Sequence, residues 1–362
     1  MGMLDSVIIY KYNSSLNKYE WQKRKKYVYN AYYQPVQIFR EKVWMHEVPE
    51  VINGFTRHYL DVLTDLAAFY HKYDGLKTGV MQLIKEVEYI KEKENILIEE
   101  TEYYYDNPNK YTTGRKVKKL SDGTVLAEQT TYPEDYLSGN FIADLLGKNM
   151  TSFPIEKISY RNGNIISGEF LNYNISGQIS TVDHLEDNIA ITDFKLSNKG
   201  TNGKYTPDTP NTIISKDNRY KQKFALTYDS YGNIKNIMPQ ATFPIVYLWS
   251  YSGQYPIAEI KNATLTEVTA VLNSIFGVNS VDALSALTTP NEGKLKDGSL
   301  QRALPDAHVT TYTYQPLVGL LTATNPSGTT VYYEYDTFGR LKRTKDVDGK
   351  TVQEYDYHYQ NQ

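Results

Sequence analysis

Tyrosine set into alternating runs, broken by Asx and glycine, constrains this chain more than any other feature. Val331, Tyr333 and Tyr335 alternate with Tyr332, Glu334 and Asp336, the period-2 pattern of a half-buried strand. Asp336-Thr337-Phe338-Gly339 supplies a turn: Asp hydrogen-bonds its own backbone, and Gly accepts positive φ. Leu341 to Lys345 returns, Asp348-Gly349 spells a two-residue hairpin, and Thr351 to Tyr359 runs out again. The same device recurs upstream with looser spelling. With 34 Tyr against 11 Phe and 3 Trp in 362 residues, the rings predict broad sheets with wet faces. A Tyr ring packs while its hydroxyl stays hydrated.

The hairpin reading extends along the chain. Val7 to Tyr12, Lys25 to Tyr33 and Val36 to Trp44 read as strands, Pro35 separating the last two. Val80 to Ile90 pairs with Ile96 to Tyr105, and Arg115 to Leu120 with Thr124 to Tyr132 across Ser121-Asp122-Gly123. Pro154 to Tyr160 pairs with Asn164 to Tyr173 across Asn162-Gly163, and Gln178 to His184 with Ile189 to Lys195. Ser197 to Asn211 is Gly/Pro/Asn-rich and reads as a long surface loop.

Three stretches break the β pattern. In Arg57 to Lys72, residues Tyr59, Val62, Leu63, Leu66, Ala67 and Tyr70 recur at helical spacing, which predicts a helix. Leu137 to Leu146 reads as a short helix ended by Gly147. Residues 263–306 read as a helical insertion: Thr264 to Glu267 is a capping box, Leu265, Val268, Leu272 and Ile275 share one side, and Gly277 closes the helix. A second helix is expected over Ser280 to Leu287 and a further turn over Gly298 to Leu304. The expected organisation is a Tyr-rich meander over 1–262 with a helix near 57–72, the insertion over 263–306, and hairpins continuing the same sheet over 307–362. The expected fold is mainly β, an antiparallel meander forming a large twisted sheet or partial barrel.

Little in the sequence points to chemistry. Net charge is −3 and pI about 6.1, which argues against a nucleic-acid partner. The absence of cysteine excludes disulfides, thiol catalysis and thiolate zinc. His46, His58, His71, His184, His308 and His358 show no metal-ligand spacing, and no GxSxG elbow nominates a serine. Asp346-Val347-Asp348-Gly349 resembles part of a calcium loop, but that alignment puts Thr344 and Tyr355 where carboxylates belong. Glu99 and Glu100 are neighbours in a strand and so point to opposite faces, which argues against a glycosidase pair. No phosphate loop or dinucleotide fingerprint occurs, and no cofactor or metal ligand is predicted. Tyr247, Trp249, Tyr251 and Tyr255, with mostly alternate spacing, are the candidate ligand-binding aromatics. If they share one face they suit sugar rings; the competing reading is a core or cross-strand ladder.

Tyr333-Glu334-Tyr335-Asp336-Thr337-Phe338-Gly339-Arg340-Leu341 resembles the YD repeat of the Rhs (rearrangement hotspot) family, and Leu226-Thr227-Tyr228-Asp229-Ser230-Tyr231-Gly232-Asn233-Ile234 is a second copy. Tyr73-Asp74-Gly75, Tyr105-Asp106-Asn107 and Tyr355-Asp356 are weaker echoes. Residues 247–251 and 255–263 look like the C-terminal region of Rhs-type surface proteins of Bacteroidetes. The resemblance is specific over 220–362 and holds only in style before that.

It implies a β-rich fold and a cell-surface or secreted setting, and it brings no catalytic site. No apolar run approaches the ~20 residues of a membrane helix. No signal peptide is apparent at the N-terminus, so the expectation is a piece of a longer parent, or a short separate gene. Some members of the family enclose a C-terminal toxin behind a self-cleaving motif. That motif is not found after Gly339, and the 23 residues that follow are too few for a toxin. Three functions compete: a non-enzymatic scaffold or shell segment, a carbohydrate- or protein-binding module, and a glycan-acting hydrolase. The expected partners are the rest of a parent protein, or a second copy joined through sheet edges.

Overall fold

The computed structural model describes residues 3–35, 45–52, 55–62, 77–92, 95–106, 112–136, 141–186, 188–190, 193–198 and 216–357. The chain divides into two compact units, Met1–Glu128 and Gln129–Gln362. Every strand pairing within them is antiparallel.

In the first unit, strands β1 (Ser6–Asn13), β2 (Lys18–Pro35), β5 (Lys77–Glu92), β6 (Asn95–Tyr104) and β7 (Arg115–Lys119) pair side by side in that order. Val87 is the one apolar side chain buried among the described residues of this unit. Charge ladders run across the strands instead: Lys25 meets Glu86 at 2.7 Å, Lys23 meets Glu88 at 2.8 Å, and Lys118 meets Glu99 at 2.6 Å. Each such pair is worth at most about 1 kcal/mol, so the ladder fixes register more than it adds stability.

Strands β3 (Met45–Ile52) and β4 (Phe55–Val62) form a separate hairpin. This corrects the helix expected near 57–72: Arg57 to Val62 are strand, with His58 opposite Pro49 and Leu60 opposite Glu47. The remainder of that helix, and the strand expected over 36–44, lie outside the described residues. Tyr59 and Val62, three apart, fit a helical stripe but fall on opposite faces of a strand, and cross-strand pairing prevailed over that stripe.

Strand β8 (Val125–Thr131) runs across the division between the units. Beyond it come a short 3-10 turn (Pro133–Asp135), helix α1 (Phe141–Gly147), and strands β9 (Glu156–Arg161), β10 (Asn164–Tyr173), β11 (Ile179–Leu185) and β12 (Ile189–Ala190). The meander continues through β13 (Lys221–Tyr228), β14 (Ile234–Pro239), β15 (Ile245–Ser250), β16 (Tyr255–Lys261), β17 (His308–Gln315), β18 (Gly319–Thr324), β19 (Thr330–Tyr335), β20 (Leu341–Lys345) and β21 (Thr351–Glu354). From β13 onward each strand pairs with its sequence neighbour, and among the described residues no pairing closes the sheet. One expected pairing changes. β12 joins β10 through Ile189–Ile165, while β11 takes β13 as its partner. The loop expected from Ser197 onward also begins differently, since Ser197 and Asn198 are buried.

Between β16 and β17 lie helices α2 (Leu265–Phe276), α3 (Val281–Ser285), α4 (Glu292–Lys296) and α5 (Ser299–Ala303). Thr264 Oγ1 accepts from Glu267 N while the Glu267 carboxylate accepts from Thr264 N, and Gly277 closes α2 at φ 71°. The buried side of these helices, including Val268, Leu272, Val281, Leu284, Leu295 and Leu300, packs on Val246, Leu248, Ala258, Ile260 and Val309 of the sheet. Each fully buried aliphatic side chain of this core contributes roughly 1.5–3 kcal/mol.

Candidate functional site

The hairpin turns of the second unit repeat one hydrogen-bonded unit. Asn174, Asp229, Asp336 and Asp346 each accept, through one side-chain oxygen, the amides two and four residues on. In each, the glycine at the fourth position stands at positive φ and donates back to the Asx carbonyl. Asn325 forms the same turn, its side chain accepting from Thr329 N. Asp346 to Gly349 is therefore a hairpin turn whose carboxylate is occupied by Asp348 N and Lys350 N. An Asx-x-x-Gly spacing would have found all five.

At three places a tyrosine hydroxyl then ties one hairpin to the one before it. Tyr228 donates to Ile179 O at 2.7 Å, Tyr335 to Leu320 O at 3.0 Å, and Tyr357 to Leu341 O at 2.8 Å. Each acceptor lies five residues beyond the first residue of the preceding turn at that end of the sheet: 174, 315 and 336. Side-chain amides add links between turns, Gln178 Nε2 to Gly232 O and Asn233 Nδ2 to Gly253 O. The Tyr and Asp of the repeat are thus a staple and a turn former.

The two faces of the sheet from β14 to β19 differ. Helices α2 to α5 cover the face carrying Val246, Leu248, Ile260 and Val309. Register places Ile237, Ile245, Tyr247, Trp249, Glu259, Lys261, Tyr312, Val331 and Tyr333 on the opposite face, most of them half-buried. Tyr247 donates to Glu259 at 3.2 Å, and Lys261 meets Glu259 at 2.6 Å, so the charges on this face are paired. Trp249 donates its indole N–H to Ile234 O at 2.8 Å and is half-buried.

The four candidate aromatics are divided by this geometry. Tyr247 and Trp249 stand, half-buried, on the face that the helices do not cover. Tyr251 is buried in the helix-side core, where its hydroxyl donates to Glu292 and accepts from Tyr314 N. Burial and the adjacent Glu292 carboxylate push the Tyr251 phenol well above its usual range. Tyr255 stacks on Tyr314 at 4.8 Å, on the same side as Tyr251. What sequence reasoning missed is the pair Tyr312 and Tyr333, which joins Tyr247 and Trp249 from strands far along the chain.

A third feature is a carboxylate sealed in the second unit. Glu156 is fully buried and accepts from Ser197 N at 2.9 Å, Ser197 Oγ at 2.5 Å and Tyr220 OH at 2.9 Å. Tyr136 OH and Thr131 Oγ1 extend the chain of hydroxyls. Burial pushes the Glu156 carboxyl up, opposed by the Ser197 and Tyr220 hydrogen bonds. Nearby, hydrogen bonds from Arg219 hold Asp217 far below the usual carboxylate range. Glu156 joins the segment 194–198 and Tyr220 to the start of β9. Its carboxylate is fully buried among these partners.

The other candidates do not converge. Glu99 pairs with Lys118 and Glu100 with Lys85, on opposite faces. His184 lies 3.2 Å from Glu186, and His308 is exposed. His46 and His58 sit in β3 and β4, while His71 and His358 lie outside the described residues. Among the described residues no three His, Asp or Glu gather into a metal site, and no helix is long and apolar enough to cross a membrane.

An open antiparallel meander, built from repeated Asx–Gly turns and Tyr staples, defines a β-repeat protein. Residues 317–352 match the family model of the RHS repeat, so the chain carries that repeat over this segment. No curated protein matches it. Among solved structures it is similar to TcdB2–TccC3 without its hypervariable C-terminal region (8% identity, TM-score 0.49) and to TcdB2–TccC3 (8%, 0.48), covering 98% of this chain and 17% of theirs in both cases. The Photorhabdus luminescens Tc holotoxin pore is a further match, at 10% identity, TM-score 0.24, and 92% and 19% coverage. The chain thus spans less than a fifth of the length of these solved chains.

Proposed function

We propose that this chain is a non-enzymatic segment of a β shell in a larger secreted or cell-surface protein, with its uncovered aromatic face turned toward what the shell encloses. The observation that carries this reading is the asymmetry of the sheet. One face is sealed by the helical insertion, and the other presents Tyr247, Trp249, Tyr312 and Tyr333 with their charged neighbours paired. Such a face binds polypeptide without sequence preference: rings supply apolar contact, and hydroxyls supply hydrogen bonds. The Asx turns and Tyr staples serve the same end by fixing the turns and the spacing of neighbouring hairpins.

The test is binding of a permanently unfolded polypeptide, such as a reduced and carboxymethylated protein, followed by fluorescence anisotropy. Binding should be weak, and abolished by Tyr312→Glu with Tyr333→Glu. A folded chain that binds no unfolded polypeptide would count against enclosure. A glycan array answered by the wild type and silenced by Trp249→Ala would replace enclosure with carbohydrate recognition on the same face.

A further inference from the structure

The outer edge of β1 stands apart from the rest of the first unit. Among the described residues β2 is its one pairing partner. The strand carries an apolar run that is exposed on both faces, Val7 40%, Ile8 39%, Ile9 53%, Tyr10 55% and Tyr12 48%, interrupted only by Lys11 and by a bulge in the β2 pairing at Ile9/Tyr10. Edge strands are normally blunted by inward charges, proline or short length, because their free N–H and C=O groups template further pairing. β1 is eight residues long and has no proline.

The backbone phase of this edge follows from its inner pairing. Tyr27 N donates to Asp5 O, so Asp5 faces β2, and by alternation Ser6, Ile8 and Tyr10 point their N–H and C=O groups outward. A partner strand must therefore pair with these even-numbered residues.

We propose that the outer edge of β1 pairs antiparallel with β1 of a second copy of this chain, about a two-fold axis at Ile8. In that register Ile8 faces Ile8, Ser6 faces Tyr10, and Val7 faces Ile9 of the partner, so the outward-pointing residues meet each other. Asp5 faces Lys11 at both ends, by the isologous logic that makes each contact occur twice. Asp5 and Lys11 have no ion-pair partner among the described residues. Shifting the register by one pairing step either way puts Asp5 opposite Ile9 or Asn13 and loses both charge pairs. The strand is thus self-complementary in charge and apolar content in one register only, and this selects a second copy over an unrelated strand. The shell reading requires only that sheet edges be covered. This proposal names what covers one of them and stands apart from that reading.

Sedimentation velocity on the full chain, over roughly a hundredfold range of concentration, tests it. The wild type should pass from monomer to dimer. Ile8→Lys, which sets two ammonium groups face to face on the axis, should be monomeric throughout with an unchanged circular dichroism spectrum. Asp5→Lys and Lys11→Asp should each weaken the dimer about tenfold, and the double exchange should restore it. A wild type that stays monomeric overturns the proposal and leaves the shell reading intact. So does a dimer indifferent to all of these variants.

Discussion

The Tyr335 hydroxyl donates to Leu320 O at 3.0 Å, and its ring lies where a side chain on Gly319 would stand: a Cβ there would sit 2.4 Å from the hydroxyl and 2.7 Å from Cζ. The staple and the glycine therefore require each other. Gly319→Ala should destabilise the second unit by about 2 kcal/mol, the usual scale of overpacking. In a double-mutant cycle with Tyr335→Ala the losses should be strongly non-additive, because removing the ring removes the clash. Urea unfolding of the four proteins measures this.

Tyr228→Phe and Tyr335→Phe each delete one staple hydrogen bond without changing packing. Each should cost about 1 kcal/mol, and the two should add, since the staples lie on different hairpins. Chemical denaturation of the singles and the double gives the comparison.

The turn carboxylates should differ in weight. Asp229 is buried and also accepts from Ser285 Oγ in α3 at 2.8 Å, so it ties a turn to the helical insertion. Asp346 serves only its own exposed turn. Asp229→Ala should cost about 3 kcal/mol by leaving buried donors unsatisfied, and Asp346→Ala about 1 kcal/mol. Thermal unfolding would rank them.

Glu156 and Asp217 should set opposite pH dependences. The folded Glu156 carboxyl is raised, so its contribution is fully present below the unfolded value of about 4.3 and is lost as pH rises through the folded value. Glu156→Gln should therefore raise the melting temperature at pH 7 and bring no gain near pH 4. Asp217 is depressed, so its contribution is present above about 3.9 and is lost as pH falls toward its folded value. Asp217→Asn should destabilise at pH 7 and matter progressively less in acid. Melting temperatures across pH 3 to 8 follow both.

Much of the fold was legible because its signals are local. The Thr264–Glu267 box and Gly277 predicted α2 as it stands, and Asn162-Gly163 marked the β9–β10 turn at its true position. Residues 57–62 misled because Tyr59 and Val62 satisfy a helical stripe, although Asn53-Gly54 just upstream spells a hairpin between β3 and β4. The site was less legible. Alternation in Tyr247 and Trp249 was visible, but Tyr251 lies in a turn at φ 55°, where strand alternation no longer applies. The neighbours of Trp249's face, Tyr312 and Tyr333, come from strands separated by the insertion. Glu156 gave no signal at all, since its donors, Ser197 and Tyr220, lie 41 and 64 residues away.

One face of the sheet is sealed by the helices, and among the described residues no layer covers the other. Hydroxyl-radical footprinting of the folded chain, read by mass spectrometry, tests it most directly. Tyr247, Trp249, Tyr312 and Tyr333 should oxidise readily, while Leu248, Ile260 and Leu272 stay protected by the helices. Equal protection of both sets would mean that a second layer covers the aromatic face, and the account of it as a surface facing enclosed material would be wrong.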